Sequence, residues 1–144
     1  ELGYRSYNAE AISDIHGHGI TGALRIGYAS SPSAAFGLRA SFGPSDNSQL
    51  AVTMAYRFRH RRSFRPFVEA GWGWYSTVLN SGSVTERVIR GNGPDVGLGF
   101  EYFVHPHASL GLAVNESYIH YTRFGYSING VSTLAMLRWN VYYR

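Results

Sequence analysis

Strict alternation is the feature that most constrains this chain. In the stretch RPFVEAGWGWY (65–75), Val68, Ala70, Trp72 and Trp74 share one parity, and Glu69, Gly71, Gly73 and Tyr75 share the other. Period two marks a strand, because successive side chains point to opposite faces. The second face is the unusual one. It is mostly glycine and other small residues with an occasional charge, too little bulk to shield an apolar core from water.

The same pattern recurs. Ile20, Leu24, Ile26 and Tyr28 stand opposite Thr21, Ala23, Arg25 and Gly27, and Phe36, Leu38, Ala40 and Phe42 opposite Gly37, Arg39 and Ser41. Leu50, Val52, Met54, Tyr56 and Phe58 oppose Ala51, Thr53, Ala55, Arg57 and Arg59. Further on, Val96, Leu98, Phe100 and Tyr102 oppose Gly97, Gly99 and Glu101, and Leu110, Leu112 and Val114 oppose Gly111, Ala113 and Asn115. The last segment sets Leu137, Trp139, Val141 and Tyr143 against Arg138, Asn140 and Tyr142. A short first segment, Leu2 and Tyr4 against Gly3 and Arg5, brings the count to eight strands. Short connections (30–34, 60–65, 104–108) alternate with long ones (7–19, 43–49, 77–94, 120–130). An even number of strands joined this way is an antiparallel up-and-down meander with both termini at the short-turn end.

Composition decides which face meets which solvent. Only 15% of the residues are charged and all 13 basic residues are arginine, whereas soluble domains carry about 25% charged residues with lysine prominent. No apolar run approaches the roughly 20 residues of a membrane helix. The small face suits the narrow lumen of an eight-stranded barrel, which its own side chains fill, and the aliphatic face suits lipid. The expected fold is therefore all-β, an eight-stranded antiparallel up-and-down transmembrane β-barrel forming a single domain over 1–144. Tyr28, Phe36, Trp72, Trp74, Tyr102, Trp139 and Tyr143 are assigned to its lipid-interface girdles. Residue 1 reads as following a cleavage site.

The charged inward positions predict a lumen network of Arg25, Arg39, Arg57, Glu69, Glu101 and Arg138, with Arg138 bridging to Glu101 or Glu69. Confined charges are tolerable only when paired, and the planar guanidinium fork can hold two carboxylate oxygens at once. Water or an anion is expected to satisfy the excess of arginine. The basic stretch RFRHRRSFR (57–65) suits phospholipid headgroups at a turn better than nucleic acid. The chain has no cysteine, and its two H-x-H pairs, His16/His18 and His105/His107, fall at opposite ends, so neither a metal nor another cofactor is expected. Glu116 is the one charge that the register places on the lipid face, near the outer interface or at a bulge.

RPFVEAGWGWY, DVGLGFEYFVHPHASLGLAV and the closing LRWNVYY resemble strands five, six to seven and eight of the OmpA/OmpX-type eight-stranded outer-membrane barrels of Gram-negative bacteria. The final Tyr143-Arg144 departs from the terminal aromatic of that family. The resemblance implies a bacterial outer-membrane location with both termini periplasmic, contact with outer-membrane lipids including lipopolysaccharide, and a protein partner at the extracellular loops or periplasmic turns. It implies a small non-enzymatic barrel acting through its loops in adhesion, envelope stabilisation or docking. Two alternatives stand beside it. IHYT (119–122) is similar to the His-x-Ser pair of outer-membrane lipid A 3-O-deacylases, which would make His120 the base and Thr122 the nucleophile, although serine is replaced and strand eight offers no acid. The other alternative is a narrow low-conductance pore.

Overall fold

The computed structural model describes residues 1–9, 16–43, 47–58, 62–79, 87–123 and 126–142. Its strands are β1 (Leu2–Ala9), β2 (His16–Ala29), β3 (Ala34–Phe42), β4 (Ser48–Arg57), β5 (Phe64–Leu79), β6 (Arg87–His105), β7 (Ala108–Arg123) and β8 (Tyr126–Val141). Each pairs antiparallel with the next, and β8 closes on β1 from Leu2↔Leu137 to Ala9↔Gly130. Closure leaves no strand edge to be satisfied in hydrocarbon. No helix occurs among the described residues.

The strands are longer than the sequence pattern suggests. The segment 77–94, read as the longest loop, is mostly strand: β5 runs to Leu79, β6 begins at Arg87, and Ser76 pairs with Arg90. The segment 120–130 is likewise strand on both sides of 124–125, with His120↔Asn129 and Thr122↔Ser127 paired. Glycine, asparagine and proline signal a loop in soluble chains, but here Gly91 and Gly93 are buried inward-facing positions within β6. Pro94 lies within β6, and the pairing with β7 is missing from Gly93 to Pro94, where proline has no N–H to donate. As a result β5–β8, at 16 to 19 residues, stand taller at the long-loop end than β1–β4, at 8 to 14.

The exterior is aliphatic and aromatic. Leu24, Ile26 and Leu98 are among its most exposed side chains, and Tyr28, Phe36, Trp72, Trp74, Tyr102 and Trp139 all face outward. Tyr143, Arg59 and Arg61 lie outside the described residues. Glu116 is outward-facing, between Val96 and Thr133 in unbroken register. The irregularity in this sheet falls instead between Phe103 and His105.

The inward glycines answer the puzzle of the small face. A Cβ at Gly73 would fall on the Tyr75 ring, one at Gly91 on Tyr121 and Ile119, one at Gly97 on Asn115, and one at Gly99 on Phe67. Each glycine takes in a larger neighbour, so small and large residues together fill the lumen. Gly73→Val is therefore expected to push Tyr75 off its Gln49 contact and to cost about 1–3 kcal/mol, as overpacking a filled interior does. Urea unfolding in detergent measures this, and an unchanged midpoint would mean that the lumen has slack at Gly73.

Candidate functional site

Inside the barrel, the side chains stack in layers along the axis. At the short-turn end Arg57 Nε donates to Glu101 Oε2 (2.9 Å), and the Tyr142 hydroxyl donates to the same oxygen (3.1 Å). Asn140 Nδ2 reaches Glu101 Oε1 at 3.3 Å. Next to this layer lies a cavity of about 180 Å³, with Ala23, Arg25, Ala55, Phe67 and Arg138 among its walls. The small residues of β2–β4 leave this space unfilled.

The middle layer centres on Glu69. Arg25 pairs with its Oε2, Arg39 with its Oε1 (3.0 Å), and Arg138 with Oε2 (3.3 Å). Asn115 Nδ2 also donates to Glu69 Oε1, at 3.2 Å. Arg138 further contacts Asn115 Oδ1 (3.1 Å) and the Glu1 carboxylate (3.3 Å), and lies over the Phe67 ring. Of the two partners considered for Arg138, the structure gives it Glu69, while Glu101 is engaged by Arg57.

A third layer lies nearer the long-loop end and is built on Asp95. Arg39 Nη2 donates to its Oδ2 at 2.7 Å, Ser117 Oγ at 2.6 Å and Gln49 Nε2 at 2.9 Å. Asp95 has no accessible surface. Sequence reading placed position 95 at the edge of a loop and missed this carboxylate, although its parity with Gly97, Gly99 and Glu101 points inward. Arg5 was also omitted. It is buried and is held by neutral acceptors, Ser41 Oγ (2.5 Å) and Gln49 Oε1 (2.8 Å). The described lumen thus holds Arg5, Arg25, Arg39, Arg57 and Arg138 against Glu1, Glu69, Asp95 and Glu101. Most of the arginine excess expected from sequence is met by the two acids it overlooked. Above Asp95, Tyr75, Ile89, Ile119, Tyr121 and Ile128 form an apolar cluster that caps the charged layers.

On the outer wall, His120 and Thr122 both point away from the lumen. The His120 Nδ1 lies 3.0 Å from Asn129 Oδ1, and no hydrogen bond joins His120 to Thr122 among the described residues. His16 and His18 begin β2 at the long-loop end, and His105 and His107 sit at the other end with ring centroids 5.7 Å apart. No group of three or more potential metal ligands occurs among the described residues.

A closed antiparallel barrel with an aliphatic wall and a charged interior spans a membrane on its strands, and among membrane proteins such barrels define the outer-membrane class. The family model for the outer membrane protein beta-barrel domain matches residues 2–139, and the chain belongs to that family. Neisserial surface protein A has a similar solved structure, with TM-score 0.71 and 14% identity over 98% of this chain and 94% of its own. The N-terminal β-barrel domain of Pseudomonas aeruginosa OprF gives TM-score 0.60 and 15% identity over 93% of this chain and 95% of its own. Curated protein sequences contain no match.

Proposed function

We propose that this outer-membrane protein is a non-enzymatic barrel whose lumen is plugged and whose working surface is its exterior at the long-loop end. In this reading that end faces outside, and both termini and the short turns lie in the periplasm. The observation that carries it is the interlocking of lumen charges from facing strands: Arg39 of β3 reaches both Glu69 of β5 and Asp95 of β6, with the Tyr75–Tyr121 cluster above. A lumen occupied in this way offers no bore, which leaves the outer surface for function. Adhesion, envelope stabilisation and docking all fall within this reading.

The competing reading is a lipid A-directed hydrolase, and the His120–Asn129 contact favours it by fixing the histidine ring. Against it, an amide cannot stabilise an imidazolium as a carboxylate does, and Thr122 is not bonded to His120. One set of cells tests both points. Because the chain has no cysteine, Gly82→Cys and Ser63→Cys report orientation cleanly. A membrane-impermeant maleimide is expected to label the first on intact cells and not the second, while mass spectrometry finds lipid A acylation unchanged by expression. Labelling of Ser63→Cys alone would invert the barrel, and loss of an acyl chain that depends on His120 would replace this reading with the enzyme.

A further inference from the structure

Arg90 is a guanidinium on the outer wall that has no ion-pair partner among the described residues. It faces outward from β6, one two-residue step beyond Asn92 along the strand, and lines the same recess as Thr122 of β7. Asn92 is paired with Trp74 on one side and His120 on the other, and His120 with Asn129. Arg90, Asn92, His120, Thr122 and Asn129 therefore form one outward-facing polar patch on the tall wall.

The position of this patch narrows what it can meet. Trp74 faces outward in register with Asn92, and Trp72 and Tyr118 face outward one two-residue step below Trp74 and His120, at the level where aromatic girdles mark the edge of the hydrocarbon. Each two-residue step along a tilted strand climbs roughly 5 Å, so the patch falls in the headgroup layer. A recess of about 570 Å³ curls round the wall here, with Phe42, Leu50 and Trp74 as its apolar lining and Arg90, His120 and Thr122 at its polar end. A second recess, of about 520 Å³, runs from His120 down past Tyr118 and Pro94 to Trp72. With Nδ1–H turned to Asn129 Oδ1, the protonated His120 ring offers Nε2–H to an anion, and Nε2 has no partner among the described residues.

We propose that this patch binds the phosphorylated headgroup of an outer-leaflet glycolipid of the lipid A type. Arg90 and His120 hold a phosphate, Asn92 and Thr122 contact the sugar, and an acyl chain lies against Trp74 and Leu50. A guanidinium with no ion-pair partner among the described residues is suited to phosphate, and the apolar lining beside it selects a lipid over free phosphate. The assignment to the outer leaflet rests on the orientation proposed above.

Native mass spectrometry of the detergent-purified barrel tests this with bisphosphorylated lipid A, its dephosphorylated form and phosphatidylglycerol as probes. Wild type is expected to retain bisphosphorylated lipid A, and Arg90→Ala about tenfold less, the size of one charge-assisted hydrogen bond. Arg90→Ala with His120→Ala is expected to lose more, Arg90→Lys to recover part, and dephosphorylated lipid A to bind wild type as weakly as the double variant. A heat-dependent shift on a denaturing gel shows that each variant is folded, as outward positions permit. Equal retention by wild type and the double variant, or equal binding of all three lipids, would overturn the site. Inverted cysteine labelling would overturn the orientation without altering binding in detergent, so the two failures are separable.

Discussion

Glu69→Ala is expected to cost the barrel roughly 3–5 kcal/mol, the penalty for removing one partner from a buried ionic cluster. Its two oxygens receive Arg25, Arg39, Arg138 and Asn115, and its side chain is fully buried. Truncation leaves three guanidinium groups facing a void. Arg39 retains Asp95 and Arg138 retains Glu1, whereas among the described residues Arg25 keeps only Thr53 Oγ1 at 3.1 Å. Removing Arg138 in the same background is expected to restore part of the loss, because one of the stranded charges goes with it. Urea unfolding in detergent measures all three proteins. If Glu69→Ala unfolds with wild type, the charges are independently solvated.

The second large effect belongs to the other face. Leu98 is 65% exposed, flanked by Val68 and Val114, and lies near mid-height on the outer wall. Leu98→Arg is expected to destabilise the lipid-embedded barrel by about 2–4 kcal/mol, against roughly 0–1 kcal/mol for Thr122→Arg near the interface. Reversible unfolding from lipid vesicles reads both. Equal effects at the two positions would remove the depth assignment on which the headgroup site depends.

Much of this architecture is legible in residue parity. The exposed Leu24, Ile26 and Leu98 and the buried Arg39, Glu69 and Arg138 alternate as the sequence does, because the lumen and the lipid impose opposite demands on successive residues. Strand ends are less legible. RGNGPD (90–95) looks like a loop because glycine and proline break strands that pack side chain against side chain, yet inward glycines here make room for Tyr121, Ile119 and Asn115. That misreading hid Asp95, and with it half of the Arg39 pairing. It also placed Arg90 in a loop rather than on the wall. Which arginine meets which carboxylate was legible only for Arg138, narrowed to Glu101 or Glu69 and found on Glu69; the other pairings depend on strand stagger and on the distance across the lumen, and neither is written in any one strand.

Conductance across a planar bilayer tests the plug most directly. With five arginines and four carboxylates packed across the lumen and an apolar cluster above them, wild type is expected to show a flat baseline with no steady single-channel steps. Glu69→Ala and Arg138→Ala are the variants expected to begin to leak ions. Steady, reproducible steps from the wild-type barrel would contradict the account.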